Sequence, residues 1–308
     1  IVKNLKPSST LKINEISKDL ESKGKKIFKF GFGQSPFQIP KDIVEELKNN
    51  AHQNKYLSMQ GLETLRRTIA KYNSYKKRIK YSAENVIIGP GSKELMFLLQ
   101  VIFDGNILLP VPSWVSYAPQ AILGRNKIIK IETKSCNNWF PTAKDIESII
   151  LKNKNKNHLL FLNSPNNPSG QVCENLGEIS DIAKKYKIII LSDEIYSELT
   201  FHKEYDSISN YCPDNTIISN GLSKWCGAGG WRLGYFLIPD SLKNLNNSIQ
   251  VLASETFSSV SAPIQYAAIR AYENDNSEFI NNSRKILDIV GNYVFEKLKS
   301  NKININKP

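Results

Sequence analysis

A three-layer α/β/α domain built on a mostly parallel, mixed sheet is the fold class this chain predicts, with a smaller α+β domain that reads as truncated. Two observations predict it. From Val86 onward, short apolar runs alternate with stretches of helical periodicity, and strands covered on both faces read as such near-continuous runs. At 308 residues, with 41% hydrophobic and 10% aromatic residues, the chain can also bury a substantial core and has room for about two domains.

The elements follow in order. The segment up to Pro40 reads as an extended arm carrying a helix over residues 11–23, and a second helix covers 41–50. Candidate strands lie at 86–88, 106–109, 127–131, 158–162, 187–191, 216–219 and 233–238. Helices fill 93–103, 142–151, 176–186, 241–254 and 263–272. A long helix over 277–300 places Ile286, Val290, Val294 and Leu298 near helical spacing, and an incipient strand at 303–305 follows. The expected domains are an arm with part of the small domain (1–40), the large domain (41–275) and the start of a C-terminal small domain (276–308). The chain begins with Ile1 rather than Met and stops inside that last strand, so it reads as a fragment.

Composition narrows the function. The formal charge is +12, but the basic residues are spread out and alternate with asparagine, as in Lys152-Asn153-Lys154-Asn155-Lys156-Asn157. Solvated loops explain this better than a nucleic-acid surface, which clusters its cations on one face or arm. Cys136, Cys173, Cys212 and Cys226 are scattered, with no Cys-x-x-Cys spacing and no neighbouring His. This argues against a metal site and a disulfide framework, and it suits a reducing compartment. No apolar run reaches the roughly 18 residues of a membrane span, and the start resembles no signal peptide. A cytoplasmic enzyme without membrane or nucleic-acid partners is the expectation.

The chemistry-bearing residues fall where strands end, the edge at which ligands bind in sheets of this kind. Lys224 follows the strand at 216–219, and a lysine there can form an imine with an aldehyde. Eight positions on, Arg232 stands in Gly229-Gly230-Trp231-Arg232-Leu233-Gly234, a guanidinium suited to phosphate beside glycines that permit close approach. Asp193 ends a buried-looking strand in Leu191-Ser192-Asp193-Glu194-Ile195-Tyr196, and a carboxylate there needs a partner such as a pyridinium nitrogen. Tyr196 and Asn167, the latter in Asn163-Ser164-Pro165-Asn166-Asn167-Pro168-Ser169-Gly170, could donate to an oxyanion on the same ring. Gly91, Ser92 and Lys93 open a helix after Ile88-Gly89-Pro90, a ready phosphate cradle. Trp114 could stack on a flat ring. Each of these has an ordinary reading as well: surface lysine, Gly-rich turn, helix cap, loop, core tryptophan.

Taken in order, the segments closely resemble the class I/II aminotransferases of pyridoxal 5'-phosphate (PLP) fold type I, from about Leu5-Lys6-Pro7-Ser8 to the end of the chain. Five weak motifs become strong jointly because they occur in the family's order and spacing. The resemblance implies that Lys224 is the Schiff-base lysine and proton shuttle, Arg232 the phosphate arginine, Asp193 the partner of the pyridine nitrogen, and Tyr196 and Asn167 the donors to the phenolate oxygen. It gives Gly91, Ser92 and Lys93 to the phosphate and Trp114 to the ring face. It gives Tyr56 to the phosphate of a neighbouring subunit in a homodimer, and Gly33, Trp114 and Asn167 to the substrate.

Two departures stand out. Gly221 occupies the position, three before the lysine, where the family often has a phosphate-binding serine, and Ser223 compensates in part. The arginine that clamps the substrate carboxylate is expected beyond residue 308. The implied activity is ping-pong transfer of an amino group between an amino acid and a 2-oxo acid. A PLP-dependent carbon–sulfur lyase is the alternative, and a non-catalytic PLP-binding regulator is disfavoured because only a short arm precedes the fold. The absence of a basic residue in Thr256-Phe257-Ser258-Ser259-Val260 weighs mildly against a dicarboxylate clamp and does not choose the substrate.

Overall fold

The structure, a computed structural model, describes residues 5, 9–31, 33–77, 79–201 and 204–307. Residues 6–8 of the segment where the family resemblance begins lie outside the described residues. Chain order runs α1 (Ser9–Ser22), α2 (Lys41–Asn49), α3 (Glu63–Lys77), β1 (Val86–Gly89), α4 (Ser92–Ile102), β2 (Asn106–Val111), α5 (Tyr117–Leu123) and β3 (Lys127–Glu132). It continues through α6 (Ala143–Lys152), β4 (His158–Asn163), α7 (Leu176–Tyr186), β5 (Ile189–Asp193), β6 (Thr216–Gly221) and β7 (Gly234–Leu237). It ends with α8 (Lys243–Ser254), α9 (Ala262–Glu273) and α10 (Ser277–Ser300).

The seven strands form one sheet in the order β1-β7-β6-β5-β4-β2-β3, and β7 alone runs antiparallel to its neighbours. The runs His158–Asn163 and Thr216–Gly221 are buried at every position, as interior strands covered on both faces must be. Alternate residues of β4 separate the two faces. Leu159 and Phe161 pack with α4, α5 and α8 on one side, whereas Leu160 and Leu162 pack with α6 and α7 on the other. A further cluster beneath β1, β6 and β7 joins Ile43 of α2, Leu65 and Ile69 of α3, and Ala268 and Ala271 of α9. These are the three layers.

Sequence reasoning passes over α3 and α5. In α3 the apolar stripe is interrupted by the buried Arg66 and Asn73, each of which has a partner outside the helix. Arg66 donates to the carbonyls of Gly61 and Ala83, and Asn73 donates to the Tyr235 hydroxyl. Helix α5 has seven residues and contains Pro119, too short for a periodicity to register. The incipient strand at 303–305 does not form. Residues 303–307 have no strand partner among the described residues, and a strand without a ladder has nothing to hold it.

Register aligns the carboxyl ends that matter. Asn163 lies beside Asp193, and Asp193 beside Ser219. Gly89, Gly234 and Gly221 meet at the ends of β1, β7 and β6. A Cβ on Gly234 would collide with the backbone N of Ser92, so α4 begins directly over this junction.

Candidate active site

Three strand ends deliver the polar groups. From β5 comes Asp193, 4% exposed, with its backbone carbonyl accepting from Asn163 Nδ2 at 3.0 Å. Burial is the main reason its carboxyl is pushed up to about 6; the fully buried Glu194 adds to the rise, and donors from Tyr117 and the Ile195 N–H together with the Lys224 charge oppose it. From the turn after β6 comes Lys224, half-buried, with Nζ donating to the Gly33 carbonyl at 2.5 Å and lying 5.4 Å from the Tyr196 ring centroid. Its basicity is lowered, first by burial and also by Arg232, while Asp193 pulls the other way. An amine held in that balance is a better nucleophile and base near neutral pH than an ordinary lysine.

At the opposite end stands Arg232, exposed and in the left-handed region at φ 57°, a conformation that a non-glycine residue holds at a cost and that recurs at ligand sites. Its guanidinium donates to the carbonyls of Gly229 (2.9 Å) and Pro90 (3.4 Å), which plants it beside the N-terminus of α4. Gly91 caps that helix at φ 86°, and a Cβ there would collide with the guanidinium. The N–H groups that open α4 at Ser92 and Lys93 and the Arg232 fork together can cradle an anion. Gly91→Ala therefore displaces Arg232 and strains the cap. A loss of affinity for a phosphate-bearing ligand of about tenfold or more is expected, measured by equilibrium binding titration, with melting temperature as the control for folding.

The remaining candidates are distributed around these poles. Asn167 Nδ2 donates to the Tyr196 hydroxyl at 3.5 Å, and the Asn167 backbone N–H is pinned by Asn163 Oδ1 at 2.7 Å. Burial, and secondarily Asp193, pushes the Tyr196 phenol up to about 12, so it remains a donor across the physiological range. Trp114 packs edge-on to Tyr117 with centroids 5.3 Å apart, and Lys93 Nζ lies 5.6 Å from the Trp114 ring. Ser92 opens α4. Ser223 sits half-buried next to Lys224, and its hydroxyl makes no hydrogen bond among the described residues. Gly221 has no room for the family's serine, since a Cβ there would meet Leu233 O at 2.7 Å and Gly234 Cα at 2.8 Å. Gly33 reaches Lys224 from the N-terminal arm. Tyr56 is 93% exposed and makes no hydrogen bond among the described residues.

Sequence reasoning missed two participants. Tyr117 donates to Asp193 Oδ2 at 2.5 Å, and Asn163 ties Asp193 to Asn167. Asn163 ends a strand and was legible as a turn residue, whereas nothing in Tyr117-Ala118-Pro119 marks a functional hydroxyl.

An amine of depressed basicity, a buried carboxylate that lacks a formal cation against it, two donors for an oxyanion and an anion cradle define a site for a flat aldehyde cofactor with a basic ring nitrogen and a phosphate. The profile of aminotransferase class I and II matches residues 25–308. Aspartate aminotransferase of Bacillus sp. (strain YM-2) is 32% identical over 97% of this chain and 77% of its own length. That of Thermotoga maritima is 31% identical over 98% of this chain and 80% of its own length. Among solved structures, aspartate aminotransferase from Thermus thermophilus with maleate superposes with a TM-score of 0.94 at 25% identity, covering 100% of this chain and 81% of that one. The chain belongs to the class I and II aminotransferases. Like them, it is an enzyme that transfers amino groups with pyridoxal 5'-phosphate as cofactor.

Proposed function

We propose that Lys224 is the residue that binds the cofactor aldehyde and moves the substrate proton, in a ping-pong exchange between an amino acid and a 2-oxo acid. The observation that carries the assignment is that Lys224 follows β6, the strand paired with the one that Asp193 ends, and that its Nζ lies 5.4 Å from the Tyr196 ring centroid. When bound, PLP supplies an aldehyde and an electron-withdrawing ring. Arg232, Gly91, Ser92 and Lys93 hold its phosphate end. Asp193 holds a positive charge at the ring nitrogen, Tyr196 and Asn167 donate to the ring oxygen, and Trp114 covers a ring face. Ser223 sits close enough in sequence to assist at the phosphate. Lys224 Nζ, once free of the aldehyde, takes the proton from the substrate Cα and returns it on the same side of the site. Gly33, Trp114 and Asn167 border the substrate.

Tyr56 is assigned to the phosphate of a second subunit, which its exposure supports, and the enzyme is read as a homodimer with shared sites. Residues 1–40 are read as the arm with part of the small domain, 41–275 as the large domain and 276–308 as the opening of the C-terminal small domain. Arg284 of α10 anchors that last part by donating to the Glu198 carbonyl at 2.7 Å. The cytoplasm is the proposed compartment, because scattered thiols suit a reducing one; no helix among the described residues is long and apolar enough to cross a membrane.

The names of the relatives put aspartate first in a panel of amino donors with 2-oxoglutarate as acceptor. Double-reciprocal plots at several acceptor concentrations should be parallel, and the active species should have twice the mass of the 34.9 kDa chain. Intersecting lines, or pyruvate and ammonia released from a cysteine conjugate without amino transfer, would sink this reading.

A further inference from the structure

The Asp193 carboxylate is held from a helix that carries none of the family motifs. Tyr117 opens α5, is 1% exposed and donates its hydroxyl to Asp193 Oδ2 at 2.5 Å. Its ring is set between Trp114, edge-on at 5.3 Å, and Phe161, tilted at 4.9 Å, so the hydroxyl has one available direction. The other donor to the Asp193 side chain, the Ile195 N–H, is longer at 3.4 Å.

The remaining titratable groups that act on Asp193 are engaged elsewhere. Glu194 is fully buried and takes Lys77 Nζ at 2.6 Å and the hydroxyls of Ser192 and Ser207. Lys224 donates to Gly33, Tyr196 pairs with Asn167, and Tyr205 bonds Ser192. The largely buried Lys77 is thus spent on Glu194, and the side chain that bonds the Asp193 carboxylate is the neutral Tyr117.

We propose that Tyr117 is a positioning residue for the cofactor, holding the Asp193 carboxylate by Oδ2 in the single rotamer that meets the ring nitrogen. The proposal rests on the role assigned to Asp193 above. A phenol suits the task because it stabilises the charged carboxylate without cancelling the charge, as a lysine or arginine would. It also resists ionisation: burial, then Asp193 itself, pushes the Tyr117 phenol well above its ordinary value, so the donor persists at any working pH.

The test replaces the hydroxyl and the ring contacts separately. Tyr117→Phe keeps the ring and removes the donor. In the cofactor-free protein the Asp193 carboxyl, followed by its carbon resonance and assigned by its absence in Asp193→Asn, should titrate about one pH unit higher. PLP binding, read by equilibrium absorbance titration, should weaken about tenfold. Phe161→Leu loosens the same ring while sparing the hydroxyl, and should lower the melting temperature while moving both readings clearly less than Tyr117→Phe does. An unmoved midpoint and affinity in Tyr117→Phe, or an equal displacement of both in Phe161→Leu, overturns the proposal. Asp193→Asn separates the layers. An unchanged PLP affinity in that variant overturns the parent assignment, whereas a weakened affinity there with an unmoved midpoint in Tyr117→Phe overturns Tyr117 alone.

Discussion

Lys224→Ala should lower amino transfer by about four orders of magnitude or more, because in the proposed role Lys224 is both the nucleophile for the aldehyde and the base for the substrate proton. The fold should survive. The amine is partly desolvated and its basicity is lowered, so charging it costs the folded state free energy, and alanine relieves that cost while giving up one hydrogen bond to Gly33. The cofactor-free variant is therefore expected to melt within a few degrees of the parent, which separates lost chemistry from lost structure. Lys224→Arg is the sharper control. It keeps the charge near Asp193, but a guanidinium stays protonated and forms no stable imine, so activity should stay as low as with alanine. Borohydride should fix PLP to the parent chain and to neither variant. Full activity in either variant would remove Lys224 from the mechanism.

Asp193→Asn acts in opposite directions on function and on stability. A buried pair that loses one charged partner costs about 3–5 kcal/mol, so turnover should drop by about a hundred- to a thousandfold or more. The cofactor-free protein should respond the other way. Desolvation pushes the Asp193 carboxyl from its usual 3.8 to about 6, so between those values the folded chain keeps a proton that the unfolded chain has released. Stability therefore falls as pH rises through this window, and above about 6 the full cost of about 3 kcal/mol stays in place. Asparagine carries no such cost and can still accept from the Tyr117 hydroxyl. The stability difference between Asp193→Asn and the parent, from urea unfolding without cofactor, should be near zero at pH 4 and grow to about 3 kcal/mol by pH 7. A difference that stays flat across that range would mean Asp193 is not the strained carboxylate described here. Addition of PLP should then stabilise the parent far more than the variant.

The two predictions differ in how much of their basis could be read from the amino acids. Lys224, Asp193 and Arg232 stand out in the amino acids because Lys224 and Asp193 come at or after the ends of strands and Arg232 sits among glycines, where a charged side chain needs a reason. The strands at 158–162, 216–219 and 233–238 were legible for a related cause: largely apolar runs of four to six residues between turns read as buried strands. Helix α3 was not, because Arg66 and Asn73 interrupt its buried face and are satisfied in part from outside it, by Gly61, Ala83 and Tyr235. The strand expected at 303–305 failed because it lacks a neighbour to pair with among the described residues.

Which reactive groups the chain carries, in what order, and on which kind of element each one sits follow from local spacing and turn chemistry. Which of them touch depends on the folded chain. The Lys224–Gly33 bond spans 191 positions, Tyr117 reaches Asp193 across 76, and the antiparallel insertion of β7 brings Gly234 against Ser92. Such contacts follow from strand register and from the need of each buried polar group for a partner, and both are settled by segments far apart in the chain.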